Sequence, residues 1–475
     1  MTAPGTMDPR LKESLDRIFH PRAAAIVGVS ERRDNPGTLL LRSFLDMGFE
    51  GDLFPVNPRH EEILGMRCYP DISSLPRVPD LVILSVPPSA VPALVRECAA
   101  AGAGGCVVNT AGFSETGRPE GRRLEEEIRE ALRGSGLRLV GPNCMGIYSA
   151  RGKVALFAGM FPVQGQAGMI SQSGSISSIS FLTGLERGIL FDKIVSSGNE
   201  LDLNCADYLE YLAEDPAVEI VLAYLEEVRD ARRFLDTASS MRGRKPLVMI
   251  KGGLTPSGER AAASHTAALG GRAEIFRGAA RQAGIVLADD LAQMLDFSSA
   301  LLHLPPCKGD RVAVVSAPGG LGVNSADAVE RAGLSMARIS PETREALASL
   351  LPREGTSLSN PVDLGFGAVV PGNYRRVLEL LDRDPGVDII LAVGSAPASR
   401  DGDIGLLRAI TDEVLEARPN LSKPLVVVLF PSSLVQPQAT RLHQAGVPAY
   451  LTPTAACLSL RHYVDFHRSS IADPG

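Results

Sequence analysis

The chain has no tryptophan and few aromatic residues of any kind, which limits what it can bind. Only 5% of its 475 residues are aromatic, and its formal net charge is -7. A nucleic-acid-binding surface needs a positive field for the phosphates and aromatic rings for base stacking. Because both are scarce, nucleic acid is not an expected partner.

The sequence also lacks the segments that mark export, membrane insertion or metal binding. Its N-terminus has no basic stretch followed by an apolar run, and no uncharged apolar run reaches membrane-spanning length. The seven cysteines are scattered, with no C-x-x-C pair. We expect a cytoplasmic protein with free thiols, no membrane partner and no metal ligands.

Short apolar runs that end in Gly, Ser or Pro recur along the first third of the chain. They are AAAIVGVS, DLVILSVPP, GCVVNTAGF and LRLVGPNC, and each precedes a segment of helical period. Strands that alternate with helices indicate parallel βαβ units, with ligands at the carboxyl ends of the strands. The sequence therefore predicts an α/β protein whose first domain, residues 1–150, is of the Rossmann-like nucleotide-binding type.

The remainder contains an internal repeat. AGMISQSGSIS matches RVAVVSAPGGLG, DPAVEIVLAYL matches DPGVDIILAVG, RKPLVMIKGG matches SKPLVVVLFP, and RQAGIVLAD matches HQAGVPAYL. The repeat predicts two related α/β domains, residues 151–303 and 304–475. Only the first copy continues after its KPLV strand into KGGLTPSGERAAASHTAALGG, so chemistry is expected there.

The first domain carries a candidate phosphate-binding loop at 28–37. It follows the first strand and opens a helix, so its N–H groups can hold a pyrophosphate. The second strand ends in Arg59 rather than an acid, which suits the ribose phosphate of CoA or NADP equally; the alternative is a solvated turn residue. Residues predicted to line this site at the strand ends are Gly28, Ser30, Arg32, Asn35, Gly37, Asn57, Pro58, Arg59, Val86, Pro87, Pro88, Asn109, Ala111, Gly112 and Glu115.

The second domain offers a phosphate cradle and an open histidine. Ser173 and Gly174 follow a strand and lead into a helix, which favours anion binding; a serine nucleophile is disfavoured because G-x-S-x-G is absent. His265 lies among small residues, as phosphoryl transfer requires. Glu226 and Glu227 end a strand of the same repeat, so one of them can face the histidine.

These segments resemble the α subunit of the ADP-forming acetate–CoA ligases, in the succinyl-CoA synthetase superfamily. The resemblance extends from Val27 to Asp363, through GVSERRDNPG, FPVNPRH, SVPPSAV, GFSETG, GPNCMGI, SQSGS, SSGNELD, YLEEVRDARRF, the SHTAALGG loop, GGLGV and NPVD. It implies a CoA-binding domain followed by two flavodoxin-like domains. It also implies residue roles: His265 as nucleophile, Glu226 as its carboxylate partner, Ser173 and Gly174 with Ser264 and Thr266 at the phosphate, and Asn143 with Cys144 near the thioester.

The resemblance implies an enzyme that interconverts acyl-CoA, phosphate and ADP with carboxylic acid, CoA and ATP. No segment reads as an ATP-grasp domain, so ADP or ATP and Mg²⁺ are expected on a separate β subunit, in a hetero-oligomer. Glu227 and Ala267 replace the family's glycines, which favours the alternative of a non-catalytic CoA-binding regulatory or scaffold protein. An NADP-dependent dehydrogenase is disfavoured because the dinucleotide glycine pattern is missing.

Overall fold

The computed structural model describes residues 7–155, 157, 159–260, 273–307, 309–317, 319–395, 404–430 and 432–472. The chain forms two compact units, Met1–Leu182 with Leu190–Asp289, and Thr183–Ile189 with Asp290–Gly475. The first unit holds two parallel sheets and the second unit holds one. None of the described helices is long and apolar enough to span a membrane.

The first sheet has five parallel strands, in the order β2-β1-β5-β6-β7. Its strands are β1 (Ala23–Val27), β2 (Asp52–Val56), β5 (Leu81–Leu84), β6 (Gly105–Val108) and β7 (Arg138–Val140), and a small hairpin is formed by β3 (Glu62–Ile63) and β4 (Met66–Arg67). Its helices are α1 (Pro9–Phe19), α2 (Pro36–Asp46), α3 (Val91–Ala101) and α4 (Pro119–Leu132). Strands β1, β5 and β6 are buried along their whole length, as expected for a parallel sheet covered on both faces.

The second sheet has six strands, in the order β13-β12-β11-β9-β10-β8, with β8 antiparallel at one edge. The strands are β8 (Gly146–Ser149), β9 (Ala167–Ser171), β10 (Phe191–Ser196), β11 (Ile220–Leu225), β12 (Leu247–Lys251) and β13 (Val286–Leu287). The helices along this part of the chain are α5 (Gly174–Glu186), α6 (Cys205–Glu214), α7 (Ala231–Met241) and α8 (Ala273–Gln282).

The second unit is built on the third sheet, β15-β14-β17-β18-β19, with β16 paired to β14. The strands are β14 (Arg311–Ser316), β15 (Ser335–Met336), β16 (Val362–Asp363), β17 (Ile389–Ser395), β18 (Leu425–Phe430) and β19 (Ala449–Tyr450). The helices are α9 (Leu291–His303), α10 (Gly319–Arg331), α11 (Pro341–Leu350), α12 (Asn373–Arg383), α13 (Gly405–Ala417), α14 (Ser432–Gln444) and α15 (Pro453–Ala472). The first and last of these helices contact each other, with the rings of Phe297 and His462 4.5 Å apart.

The second and third sheets share one strand order. The four pairs of repeated segments correspond to β9 and β14, β11 and β17, β12 and β18, and β13 and β19, and these strands occupy equivalent places in the two sheets. The prediction of an α/β protein with two flavodoxin-like domains after the first is confirmed. The strand order reverses at β1 in the first sheet, at β9 in the second and at β14 in the third, and such reversals are where doubly wound folds bind ligands.

Within the first unit, the first two sheets are joined beside the end of β7. The main-chain N–H groups of residues 199, 201 and 203 donate to the carbonyls of residues 142, 141 and 139, at 2.9–3.2 Å. Arg138 forms a bidentate pair with Asp202, at 2.9 and 3.0 Å, and such forked pairs fix geometry as well as charge. The loops that follow β7 and β10 are therefore held side by side.

Candidate functional site

The loops predicted to hold a nucleotide lie together at the carboxyl edge of the first sheet. Asn57 Nδ2 donates to the Val29 carbonyl at 2.6 Å, which joins the loop after β2 to the loop after β1. The Thr110 hydroxyl donates to the Val86 carbonyl at 2.6 Å and joins the loops after β6 and β5. These contacts form one continuous lip at the switch point between β1 and β5.

Two glycines allow the main chain of this lip to pack closely. Gly28 has a φ of +95°, and a Cβ there would lie 2.1 Å from the Ser85 carbonyl oxygen. A Cβ on Gly37 would lie 2.9 Å from the Gly28 carbonyl oxygen. Any larger residue would push main chain against main chain, so the glycines set the shape of the loop that opens α2. Asn35 caps that helix by accepting from the N–H of Thr38 at 2.9 Å.

Two buried polar atoms at this edge point to a ligand. Ser30 Oγ and Asn109 Oδ1 have no hydrogen-bond partner among the residues that the structure describes. The amide nitrogen of Asn109 donates to the carbonyls of Cys144 and Met145, at 3.1 and 2.9 Å. Because buried polar atoms are rarely left unpaired, these two atoms are available to hydrogen-bond with a polar ligand.

The two predicted arginines have different surroundings. Arg32 is paired with Asp34 at 3.0 Å, and both side chains are exposed. Arg59 is exposed, and its N–H donates to Asn57 Oδ1 at 2.9 Å, which fixes the turn that carries it. Pro58 and Pro87 are exposed, and Val86 and Pro88 are half-buried.

Two of the residues predicted to line the site, Glu115 and Cys144, form hydrogen bonds with the protein main chain. Glu115 accepts from the N–H groups of Gly112 and Phe113, at 2.6 and 3.0 Å, and from Asn199 Nδ2 at 2.6 Å. Its carboxylate therefore shapes the turn that contains the exposed Ala111. The Cys144 thiol donates to the Val108 carbonyl at 3.3 Å, inside the core, where burial raises its pKa to about 12.

The phosphate cradle predicted in the second domain follows β9. The Ser171 hydroxyl accepts from the Ser173 N–H at 3.1 Å and donates to the Ser173 carbonyl at 2.7 Å, which closes a tight turn before α5. A Cβ on Gly174 would lie 2.5 Å from the Met145 side chain. Asn143 Nδ2 donates to Asn199 Oδ1 at 3.2 Å. The loop after β7, which borders the carboxyl edge of the first sheet, thus contacts the start of α5.

Glu226 and Glu227 directly follow β11, and their side chains have different neighbours. Gln172 Oε1 accepts from both of their N–H groups, at 2.6 and 2.9 Å, and Gln172 Nε2 donates to the Glu227 carbonyl at 2.9 Å. Glu227 Oε2 lies 3.3 Å from Arg229 Nε. The charge of the Glu227 carboxylate is therefore partly offset by Arg229. Lys251 Nζ donates to the Glu226 carbonyl at 2.6 Å, and burial lowers the pKa of this lysine.

Ser264, His265 and Thr266 lie outside the described residues, which end at 260 and resume at 273. The strand that leads into this segment, β12, pairs with β11, so that Lys251 lies opposite Leu225. The end of β9 adjoins β11 on its other side, with Ser171 opposite Tyr224. The described chain that follows β12 therefore starts, at Gly252, from the same edge that carries Ser173 and Glu226.

Sequence reasoning missed three residues that hold Glu226. They are Gln172, Lys251 and Tyr224, whose hydroxyl donates to Glu226 Oε1 at 3.2 Å. A signal was present for Tyr224, because residues two apart on a strand share one face. Nothing local marks Gln172, since its partners lie 54 and 55 residues away in the sequence.

Three family descriptions match successive parts of the chain. Residues 22–150 match the "CoA binding domain", residues 164–301 the "Succinyl-CoA ligase like flavodoxin domain", and residues 312–464 the "Ligase-CoA domain". Each matched region contains the parallel strands of one of the three large sheets, whereas the antiparallel β8 of the second sheet falls in the first region.

Individual relatives match nearly the whole chain. Acetate–CoA ligase [ADP-forming] II subunit alpha of Pyrococcus furiosus is 34% identical over 92% of this chain and 95% of its own length. Acetate–CoA ligase [ADP-forming] I of Archaeoglobus fulgidus is 35% identical over 93% of this chain, which spans only 62% of that longer protein. The dinucleotide-forming acetyl-coenzyme A synthetase 1 of Ca. Korarchaeum cryptofilum, solved with phosphate and ADP, is 31% identical with a TM-score of 0.87, covering 97% of this chain and 99% of that one. The protein therefore belongs to the family of ADP-forming acetate–CoA ligases.

Proposed function

We propose that this chain is the CoA-binding, phosphohistidine-bearing subunit of a nucleoside-diphosphate-forming acyl-CoA synthetase. A phosphate oxygen attacks the thioester carbonyl, the C–S bond breaks, and CoA leaves as its thiol. A nitrogen of His265 then attacks the phosphorus of the acyl phosphate, and the carboxylic acid leaves. An oxygen of ADP finally takes the phosphoryl group from His265 and gives ATP.

The CoA half of the proposal rests on the lip at the end of the first sheet. The glycines at 28 and 37 let the loop main chain pack closely at the start of α2, and a helix N-terminus favours a diphosphate. The unpartnered Ser30 Oγ and Asn109 Oδ1 offer hydrogen bonds to a polar ligand. Arg59 is the residue we assign to the 3′-phosphate, and the chemistry that CoA supplies when bound is a thiol that carries the acyl group.

The phosphoryl half rests on one observation above the others. Glu226 is fixed at the switch point of the second sheet by Gln172, which precedes α5, and by Lys251 at the end of β12. A neutral imidazole that attacks phosphorus becomes positively charged, and a carboxylate at its other nitrogen stabilises that charge. The partial positive charge at the start of α5 stabilises the phosphoryl group itself.

The proposed reaction also requires a partner chain that binds ADP. This chain spans 62% of the longer Archaeoglobus relative but 95% of a relative named as an alpha subunit. We assign the ADP site, with its Mg²⁺, to an ATP-grasp β subunit in a cytoplasmic hetero-oligomer. Within this chain we assign CoA binding to 1–150, the phosphohistidine to 151–303, and the second flavodoxin-like domain to 304–475.

The test is transfer of labelled phosphate to His265. The purified chain is mixed with ³²P-labelled phosphate and each of acetyl-, propionyl-, 4-hydroxybutyryl- and feruloyl-CoA, and acid-labile, base-stable label is counted. We expect one of these thioesters to label the wild type, and His265→Asn to abolish labelling while leaving CoA affinity unchanged. Adding the ATP-grasp chain and ADP should move the label into ATP.

The second candidate is a CoA-binding regulatory or scaffold protein that has kept the fold without turnover. Glu227 and Ala267, which replace glycines of the family, favour it, although the pairing of Glu227 with Arg229 weakens that argument. A wild type that binds CoA by calorimetry, yet takes up no label with any thioester and the partner present, would establish this alternative.

A further inference from the structure

A cavity of about 400 Å³ borders the amino ends of the first sheet, on the side away from the lip assigned to CoA. Its lining comes from three segments, residues 20–22, 49–52 and 151–153, together with Arg77. The first segment immediately precedes β1, and the second ends at the first residue of β2. Since β1 is five residues long, its length of about 16 Å separates the cavity from the lip.

Main-chain contacts hold the three segments together. Asp52 donates its N–H to the Arg22 carbonyl at 3.0 Å, and a Cβ on Gly51 would lie 2.5 Å from the same oxygen. A Cβ on Gly152 would lie 2.0 Å from the Phe19 carbonyl oxygen, so the third segment approaches the first through a glycine. The main chain around the cavity is therefore closely packed.

The lining has an excess of positive charge. Partial burial, with the charges of Lys193 and Arg151 nearby, lowers the pKa of His20, so this imidazole adds no charge at neutral pH. Four cationic side chains then face two carboxylates, which leaves a difference of two positive charges. The cations are Arg22, Arg77, Arg151 and Lys153, and the carboxylates are Glu50 and Asp52. The lining therefore suits an anion.

Two of the cations are paired with the two carboxylates of the lining. Arg77 Nη1 lies 2.9 Å from Asp52 Oδ2, and the Lys153 ammonium pairs with Glu50. The side chains of Asp52 and Glu50 are 54% and 83% exposed, and ion pairs with such exposed groups contribute little to stability. An anionic ligand can therefore replace either carboxylate at low cost.

The other two cations differ from this pattern. Arg151 Nε lies 2.8 Å from the Asp192 carboxylate, which is 1% exposed and also pairs with Lys193, so a buried network holds the Arg151 side chain. Arg22 is exposed, and its N–H donates to Asp80 Oδ2 at 2.9 Å. Its guanidinium has no ion pair or hydrogen bond with any residue that the structure describes. Arg22 therefore offers a charge that the described chain does not neutralise.

The volume of the cavity and its aromatic residue select among anions. About 400 Å³ falls within the range of small-molecule sites, about 300–1,000 Å³, and exceeds what one inorganic ion fills. Phe49 lines the cavity, and its ring packs edge-on against Phe44 at 5.3 Å. A nucleobase gains affinity by stacking on an aromatic ring. A phosphate monoester has a charge of about −1.5 to −2 at neutral pH, which matches the excess of two in the lining.

We propose that this cavity binds a nucleoside monophosphate, with the phosphate held by Arg22 and Arg151 and the base stacked on Phe49. The cavity borders the amino ends of the strands, whereas the CoA lip and the phosphate cradle lie at carboxyl ends. The nucleotide is therefore an effector and not a substrate. Its binding is measured without turnover, so the outcome does not depend on the proposed function.

The experiment is calorimetric titration of the full chain with AMP while CoA is saturating, because CoA contains an adenosine phosphate and AMP could otherwise enter the CoA lip. We expect AMP to bind with CoA present. Ribose 5-phosphate, which lacks the base, and inorganic phosphate should bind at least about fivefold more weakly, from the usual strength of base stacking on an aromatic ring.

Three variants locate the site. Arg22→Ala should weaken AMP binding about tenfold or more, from the usual strength of a charge-assisted hydrogen bond, and should leave CoA affinity unchanged. Phe49→Leu should weaken AMP binding about fivefold or more without changing the binding of ribose 5-phosphate. Arg122→Ala removes an exposed arginine of α4 that does not line the cavity, and this control should bind AMP as the wild type does. Melting temperatures are measured for each protein.

Four results overturn the proposal: no binding of AMP at millimolar concentration, binding only when CoA is absent, equal losses in Arg22→Ala and Arg122→Ala, or inorganic phosphate binding as tightly as AMP. The last result would identify a simple anion site. If Phe49→Leu lowers the melting temperature, Arg22→Ala decides the outcome, because it changes only an exposed side chain and keeps the main-chain hydrogen bonds of residue 22.

Discussion

Glu200 has a buried carboxyl group, and replacing that group with an uncharged one should stabilise the protein at neutral pH. The side chain is 2% exposed, and the residue has a φ of +51° in the loop after β10. Its Oε1 accepts from the Ser197 hydroxyl at 2.8 Å, whereas its Oε2 has no hydrogen-bond partner in the described part of the chain. Burial raises the pKa of Glu200 from 4.5 to about 7, against the opposing effects of Ser197, Gln172 and Arg229.

The direction in which stability changes with pH follows from which state, folded or unfolded, binds the Glu200 proton more tightly. Between pH 4.5 and about 7 the folded state holds the Glu200 proton more tightly than the unfolded chain does, so stability falls as the pH rises through that window. The difference between the two pKa values corresponds to about 3 kcal/mol, all of it lost above pH 7. Glutamine has no charge to bury and keeps an acceptor for Ser197, so Glu200→Gln should avoid this loss.

The assay is thermal unfolding of the wild type and Glu200→Gln at pH 5 and pH 8. At pH 8 we expect the variant to melt about 5–10 °C higher, from the usual dependence of melting temperature on stability in domains of this size. At pH 5 the difference should shrink to a small fraction of that. Glu219→Gln, at an exposed position, is the control and should show no such dependence. A Glu200→Gln protein that melts lower than the wild type at pH 8 would refute the reasoning.

Two further predictions concern the CoA lip. Arg59→Ala should weaken CoA binding about tenfold or more, because a charge-assisted hydrogen bond contributes about 1.5–3 kcal/mol, and should barely change the binding of 3′-dephospho-CoA; equal losses for both ligands in calorimetry would exclude the contact. Gly37→Ala should lower CoA affinity by displacing the Gly28 carbonyl, which would lie 2.9 Å from the new methyl group, whereas the control Gly136→Ala meets no atom within 4 Å and should bind CoA normally.

The alternation of apolar runs with turn residues was enough to predict most of the fold. Strands buried on both faces, such as β1 and β11, have continuous apolar sequences, and the repeated segments predicted two related α/β domains. The hairpin of β3 and β4 was not predicted. Its strands have two residues each, and its turn places Leu64 and Gly65 at positive φ without the Asn-Gly or Asp-Gly pair that usually marks such turns.

Residues of the candidate site could be predicted where they follow the end of a strand. They could not be predicted where their role depends on a hydrogen-bond partner that is distant in the sequence. The positions of Gly28, Ser173 and Glu226 follow from the rule that the carboxyl ends of parallel strands share an edge. Glu115 lies in the loop after β6, but its partner Asn199 is 84 residues away in the sequence. No local pattern therefore predicted that the Glu115 carboxylate would form hydrogen bonds within the protein. The same holds for Gln172, whose contacts with the end of β11 depend on strand order.

The contact between the first and last helices of the second unit has a consequence for synthesis on the ribosome. Asp296 of α9 accepts a hydrogen bond through its carbonyl from Tyr450, 154 residues later, and Phe297 packs on His462 of α15. At about 5–20 residues per second, α9 emerges on the order of 10–30 s before the helix that covers its apolar face. During that interval Phe297, which is buried in the finished protein, lacks the His462 ring that packs on it. The nascent chain therefore leaves part of an apolar helix uncovered until α15 is made, and chaperones can bind that surface during this interval.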